Sequence, residues 1–194
     1  MVEHIAVIDI DNTIADTQTA IKKFLEKRGV DPRLLLNFPQ EFRDDTPEHF
    51  STLISEFIYS HNYDTTLFTI PLYTGVLEAL SLLQKSCKIY VVSSRINNWH
   101  TPTEAWLLAN HVKPLVSGIY LRDQSESSLA FKKRVISELK ADVVFEDSLE
   151  ILKSVTDVNL RFLIDHPWNQ ENISSEGYVR VKSFVDAVGI FTNL

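Results

Sequence analysis

The stretch His4-Ile5-Ala6-Val7-Ile8-Asp9-Ile10-Asp11-Asn12-Thr13 constrains this 194-residue chain more than any other. An apolar run with β-branched residues reads as a buried strand, and this one leads directly into a carboxylate. Side chains alternate along a strand, so Asp9 and Asp11 would share a face if the strand continued. Asn12 predicts a turn instead, with Asp11 on it and the Thr13 hydroxyl supporting it. Two carboxylates at the end of a buried strand are costly unless positive charge compensates them. The stretch therefore calls for cationic partners elsewhere in the chain.

Beyond it, Ile21, Phe24 and Leu25 recur at helix spacing over residues 17–28, with Asp16 as N-cap and Gly29 as stop. A second helix is expected from Thr46 or Pro47 to about His61, its apolar face carrying Phe50, Leu53, Ile54, Phe57 and Ile58. From Thr74-Gly75 onward the pattern changes. A helix to about Lys85 precedes a strand over 88–93. The run Thr101-Pro102-Thr103-Glu104 has capping-box spacing and opens another helix. An apolar segment near 118–121, a helix over 128–139, and strands at 142–145, 161–165 and 178–181 follow, with a closing helix around 184–191. Strands alternating with helices predict an α/β fold with a Rossmann-like, mostly parallel sheet and helices on both faces. Residues 1–15 and 74–194 are read as this core, and 16–73 as a small helical cap insertion.

In open parallel sheets ligands bind at the carboxyl ends of the strands. Here those ends carry Asp9 and Asp11, then Ser93, Ser94 and Arg95, then Glu146 and Asp147, then Asp165 and His166. Carboxylates gathered in one place suit Mg²⁺, a hard cation that takes one or two of them plus substrate phosphate. Such a site fits phosphoryl transfer, with Asp9 as nucleophile and Asp11 as general acid and then base. Ser93 and Lys132 would bind the phosphoryl oxygens and Asp147 the metal. Several assignments stay two-sided. Lys133 is the alternative to Lys132, and Ser94 replaces Ser93 if the strand register shifts by one. Arg95 either contacts phosphate or pairs with an acid of the cap. Asp147 has capping-box spacing to Glu150, so it either caps a helix, holds metal, or does both. Glu146 is either a ligand or an acid outside the ligand set. His100, His111 and His166 lack metal-ligand spacing.

The four segments together resemble the haloacid dehalogenase (HAD) superfamily of phosphohydrolases. Asp9-Ile10-Asp11-Asn12-Thr13 matches its first motif, Ile89 to Ser93 its second, Lys132 its third, and Val143-Val144-Phe145-Glu146-Asp147 its fourth. The resemblance implies Mg²⁺ held by Asp9, the backbone carbonyl of Asp11, and Asp147, with an aspartyl-phosphate on Asp9. It implies a C1-type cap for the insertion. Asn12 stands where that family most often has glycine. The chain also resembles the 5'(3')-deoxyribonucleotidase-like branch in Ser93-Ser94-Arg95 and in the run Phe162-Leu163-Ile164-Asp165-His166-Pro167-Trp168-Asn169. That branch implies a nucleoside monophosphate substrate, with Phe38, Phe42, Phe57 or Tyr63 available to stack on a base.

A net charge of −7 argues against a polymeric nucleic acid partner and leaves a small phosphorylated metabolite as the expected one. One cysteine, Cys87, precludes an intrachain disulfide, and no apolar run reaches membrane-spanning length. A cytoplasmic protein without membrane association is expected. Two other functions use similar residues. A receiver-like phospho-acceptor also combines acids, a hydroxyl, a lysine and Mg²⁺, but lacks the helical insertion. A haloacid dehalogenase would use Asp9 and have no need of Asp11, because halide leaves without a proton. Substrate choice lies with the cap, whose residues form no motif.

Overall fold

The computed structural model of the chain describes residues 4–31, 57, 70–170 and 177–194. Elements are numbered over these residues. They run β1 (His4–Ile8), α1 (Thr17–Glu26), α2 (Val76–Leu83), β2 (Cys87–Ile96), α3 (His100–Ala109) and β3 (Gly118–Arg122). Then come α4 (Ser128–Leu139), β4 (Val143–Glu146), α5 (Leu149–Ser154), β5 (Leu160–Ile164), β6 (Val179–Val181) and α6 (Phe184–Phe191).

The strands form one six-stranded sheet in the order β3-β2-β1-β4-β5-β6, and every pairing is parallel. The apolar segment near 118–121 is thus a full strand, at one edge of the sheet. Period-2 alternation sorts the strand residues into two apolar clusters. Ala6, Ile8, Ile89, Val91, Val143, Phe145, Phe162 and Ile164 join residues of α1, α2, α3 and α6 on one face. Val7, Val92, Val144 and Leu163 join residues of α4 and α5 on the other. Helices therefore cover both faces, which is why β1, β4 and β5 read as nearly continuous apolar runs. Phe145 stacks on Phe162 at 5.2 Å and receives the edge of Phe184 at 5.1 Å. Such aromatic pairs add about 0.5–1.5 kcal/mol each beyond the area they bury.

Two local features differ from expectation. Helix α3 starts at His100 with Trp99 at the cap position and no side-chain cap bond, so the Thr101–Glu104 capping box is not formed. Helix α2 starts after Gly75, whose φ of 83° favours glycine and whose absent Cβ would lie 3.2 Å from Val185. Asp16 caps α1 as expected, accepting from the Thr19 amide.

The expected helix over 46–61 lies outside the described residues, as do Phe38, Phe42 and Tyr63. Phe57 alone of that stretch is described. It is helical and buried, edge-on to Phe24 of α1 at 5.1 Å. Among the described residues, no helix is long and apolar enough to cross a membrane.

The topology decides where a site forms. From β1 the chain moves to β2 and β3 on one side, then returns to β4, β5 and β6 on the other. Strand order reverses at β1, and the crevice of an open parallel sheet opens at such a switch point, beyond the carboxyl ends of the strands.

Candidate active site

Asp9 follows β1 directly, 5% exposed, with its amide bonded to the Phe145 carbonyl of β4. This register sets Asp9 beside Glu146 and Asp147 at the end of β4. Lys132 reaches the same point from α4. It shares the buried face of that helix with Phe131, Val135 and Ile136, while Lys133 is exposed. The Lys132 ammonium donates to Asp9 Oδ1 at 2.6 Å and to Glu146 Oε2 at 2.7 Å. Ligand oxygens of Asp9, Glu146 and Asp147 lie within 4.8 Å of one another, and all three residues are buried.

Three carboxylates thus face one ammonium, an excess of two negative charges if all are ionised. Burial pushes the Asp9, Glu146 and Asp147 carboxyls up to about 7, each helped by a neighbouring carboxylate and opposed by Lys132. Burial alone would lower the lysine, but Asp9 and Glu146 outweigh it and hold the ammonium protonated. A cluster of hard oxygen donors lacking two positive charges fits a divalent cation such as Mg²⁺. The cluster differs from the sequence-derived ligand set by containing Glu146. That residue is neither solvated nor free, being ion-paired to Lys132 and accepting the Ser148 amide.

Asp11 faces elsewhere. Arg95 grips it with two bonds, Nε to Oδ2 at 2.9 Å and Nη2 to Oδ1 at 2.7 Å, and Thr17 donates to Oδ1 at 2.6 Å. Burial would raise the Asp11 pKa, but Arg95 and Thr17 hold it below the usual carboxylate range. Arg95 was expected on phosphate or on an acid of the cap; its described carboxylate partner is Asp11. The reason is a β-bulge. Ser93 pairs with Leu121 and Ile96 with Arg122, so Ser94 and Arg95 have no opposite residues on β3. The bulge carries Arg95 inward, its guanidinium also over the Trp106 ring at 5.5 Å.

Of the two serines, Ser93 is buried and its hydroxyl accepts from the Arg95 amide at 3.3 Å. Ser94 is half-buried and bonds the Ser128 hydroxyl at the start of α4. Arg122 links the same parts, donating to the carbonyls of Ser94 and Glu126.

The turn after Asp9 is held by backbone bonds from Thr13, Ile14 and Ala15 to the Ile10 carbonyl. The Thr13 hydroxyl is buried without a hydrogen bond among the described residues, so it does not brace the turn as expected. Asn12 does. Its φ of 62° lies in the left-handed region, where asparagine substitutes for glycine, and its Oδ1 accepts the Gln18 amide.

A segment not assigned to the site from sequence secures it from β5. His166 Nε2 lies 2.7 Å from the Asn12 carbonyl; a carbonyl only accepts, so Nε2 carries the proton. Its ring stacks on Trp168 at 4.3 Å, and the indole N–H donates to Asp147 Oδ2 at 3.1 Å. Asn169 donates to the backbone carbonyls of Asp147 and Ile164. Asp147 itself caps no helix, because Ser148 occupies the cap position of α5. An indole or amide that reaches Asp147 from 21 or 22 residues further along leaves no mark in a sequence. The signals in the sequence were the segment's place at a strand end beside Asp165 and the likeness of the run Phe162 to Asn169 to the nucleotidase-like branch.

Comparison by sequence finds no family model and no curated protein that matches. Comparison of folds finds 142 matching chains. A haloacid dehalogenase-like hydrolase from Streptococcus pneumoniae superposes with a TM-score of 0.68 at 12% identity, over 97% of this chain and 98% of that one. The HAD-hydrolase YfnB from Bacillus subtilis, described as bound to magnesium, gives 0.68 at 16% over 98% and 99%. A protein described as a predicted phosphoglycolate phosphatase from Haemophilus somnus gives 0.67 at 13% over 98% and 99%. At such identities the likeness concerns architecture. The chain has the fold of the haloacid dehalogenase-like hydrolases.

Proposed function

We propose that the protein is a Mg²⁺-dependent phosphatase that hydrolyses a small phosphomonoester, with a nucleoside or deoxynucleoside 5'-monophosphate as the candidate substrate. The observation that carries this reading is the buried cluster of Asp9, Glu146 and Asp147 around one lysine, with Asp11 two residues beyond the nucleophile. Asp9 attacks phosphorus and takes the phosphoryl group as the bond to the leaving oxygen breaks. In this reading Asp11 takes up a proton on parting from Arg95 as substrate binds, gives it to that oxygen, then removes one from the water that releases phosphate. Mg²⁺, held by Asp9 and Asp147 with the Asp11 carbonyl, would supply charge stabilisation for the phosphoryl oxygens. Lys132 and Ser93 hold those oxygens, with Ser94 and the buried Arg95 beside Asp11 as further candidates. Residues 16–73 act as the cap that selects the substrate. The single buried cysteine, Cys87, suits a cytoplasmic setting.

One observation favours a second reading. Arg95 keeps Asp11 ionised, which suits a leaving group that needs no proton, as in a dehalogenase, the description of another fold neighbour. One assay separates the two. The full chain with Mg²⁺ is offered aryl phosphate, a panel of nucleoside monophosphates and a panel of haloacids. Phosphate release that chelator or Asp9→Asn abolishes supports the phosphatase. Halide release alone supports the dehalogenase, and folded protein inert toward every phosphoester contradicts the first reading.

A further inference from the structure

The segment after β5 reaches the Asp147 carboxylate through Trp168. Trp168 is 4% exposed and its indole N–H donates to Oδ2 of Asp147. Behind it the geometry is fixed twice over. His166 stacks on the indole, and Asn169 bonds the Asp147 carbonyl. Arg180 of β6 in turn holds Asn169 through its side-chain and backbone oxygens. The indole therefore cannot follow if the carboxylate turns.

From this geometry we infer that Trp168 is a positioning residue that makes Asp147 a one-oxygen ligand and so selects Mg²⁺ over Ca²⁺. The inference rests on the reading of Asp147 as a metal ligand. An oxygen already accepting an N–H has less capacity for a cation, and a two-oxygen grip would strain or share that bond. Mg²⁺ loses nothing by this. It requires octahedral geometry, keeps several waters and takes carboxylate oxygens singly. Ca²⁺ is larger, takes six to eight oxygens and often uses both atoms of one carboxylate. A fixed partner outside the ligand shell also orients the ligand before the cation arrives, and removing such partners costs about 10–100-fold in metal affinity.

The test is calorimetric titration of the chelator-stripped full chain with Mg²⁺ and with Ca²⁺. Trp168→Phe keeps an aromatic ring against His166 and removes the N–H. If that variant folds poorly, 3-benzothienylalanine at position 168 keeps the bicycle without the donor. Val188→Ala, on the buried face of α6, serves as the control for lost packing. The inference expects Trp168→Phe to weaken Mg²⁺ binding about tenfold while Ca²⁺ binding holds or strengthens, with the ratio unchanged in Val188→Ala. Equal weakening toward both ions, or no change toward either, overturns it while leaving the proposed function standing. A wild-type chain that binds neither ion overturns both.

Discussion

At the scale of single residues, the site divides into two charge systems. Lys132 serves Asp9 and Glu146, and Arg95 serves Asp11. Each makes a different prediction. Removing a buried cation strands its partners, at a cost of about 3–5 kcal/mol. Lys132→Met should show that loss in chemical denaturation at pH 8, and a smaller loss near pH 5, where the carboxyls are protonated. A loss independent of pH would contradict the charge account. Arg95→Gln should leave the fold intact but let the Asp11 pKa rise, because Arg95 is what holds it down. A base is lost when it is protonated, so the acidic limb of kcat should move to higher pH. Arg95→Lys should rescue the limb in part, since an ammonium restores the positive charge but not the two parallel bonds of a guanidinium. An unmoved limb in both variants would show that Asp11 is not the base.

At the scale of elements, the turn after β1 rests on a left-handed Asn12 tied to both α1 and His166. Asn12→Gly should lower stability by well under 1 kcal/mol and Asn12→Ala by about 1–2 kcal/mol, measured by urea denaturation, because alanine pays for the left-handed conformation. Here the sequence was informative in one way and mute in another. Alternation and capping made β1, β4, β5, α1 and α4 legible, and with them Asp9, Lys132 and Asp147 at their ends. The sequence left Lys132 and Lys133 as alternatives, and the structure places Lys132 on the buried face of α4 with Phe131, Val135 and Ile136. The bulge in β2 was not legible, since Ser94 and Arg95 read as the end of a strand that in fact continues to Ile96. Nor were the contacts of Arg95, Glu146 and Trp168, which depend on how separate strands align. Local capping patterns also misled at Thr101 and Asp147, where tertiary packing set the helix starts.

At the scale of the whole molecule, the fold stores unfavourable charge at the centre of its sheet. Asp9, Glu146 and Asp147 have ordinary pKa values of about 4 and are raised to about 7 in the folded protein. Between those values the folded chain binds more protons than the unfolded one, so its stability falls as pH rises. Metal-free protein should therefore be most stable against this effect below about pH 4 and lose that contribution as pH rises through about 7. Divalent metal binds the deprotonated carboxylates, so Mg²⁺ should raise Tm more at pH 8 than at pH 6. Scanning calorimetry with and without chelator checks both signs. A Mg²⁺ effect that grows toward acid pH would contradict a carboxylate site.

The central claim is that Asp9 takes the phosphoryl group and Asp11 governs its release. It is tested most directly by mass spectrometry of Asp11→Asn quenched during reaction with p-nitrophenyl phosphate and Mg²⁺. This leaving group needs no proton, so the first step should proceed and the second should stall. The account predicts a phosphoryl adduct on the peptide containing Asp9, absent when Asp9→Asn is added. An adduct on another residue, or a double variant that still releases phosphate, would contradict it.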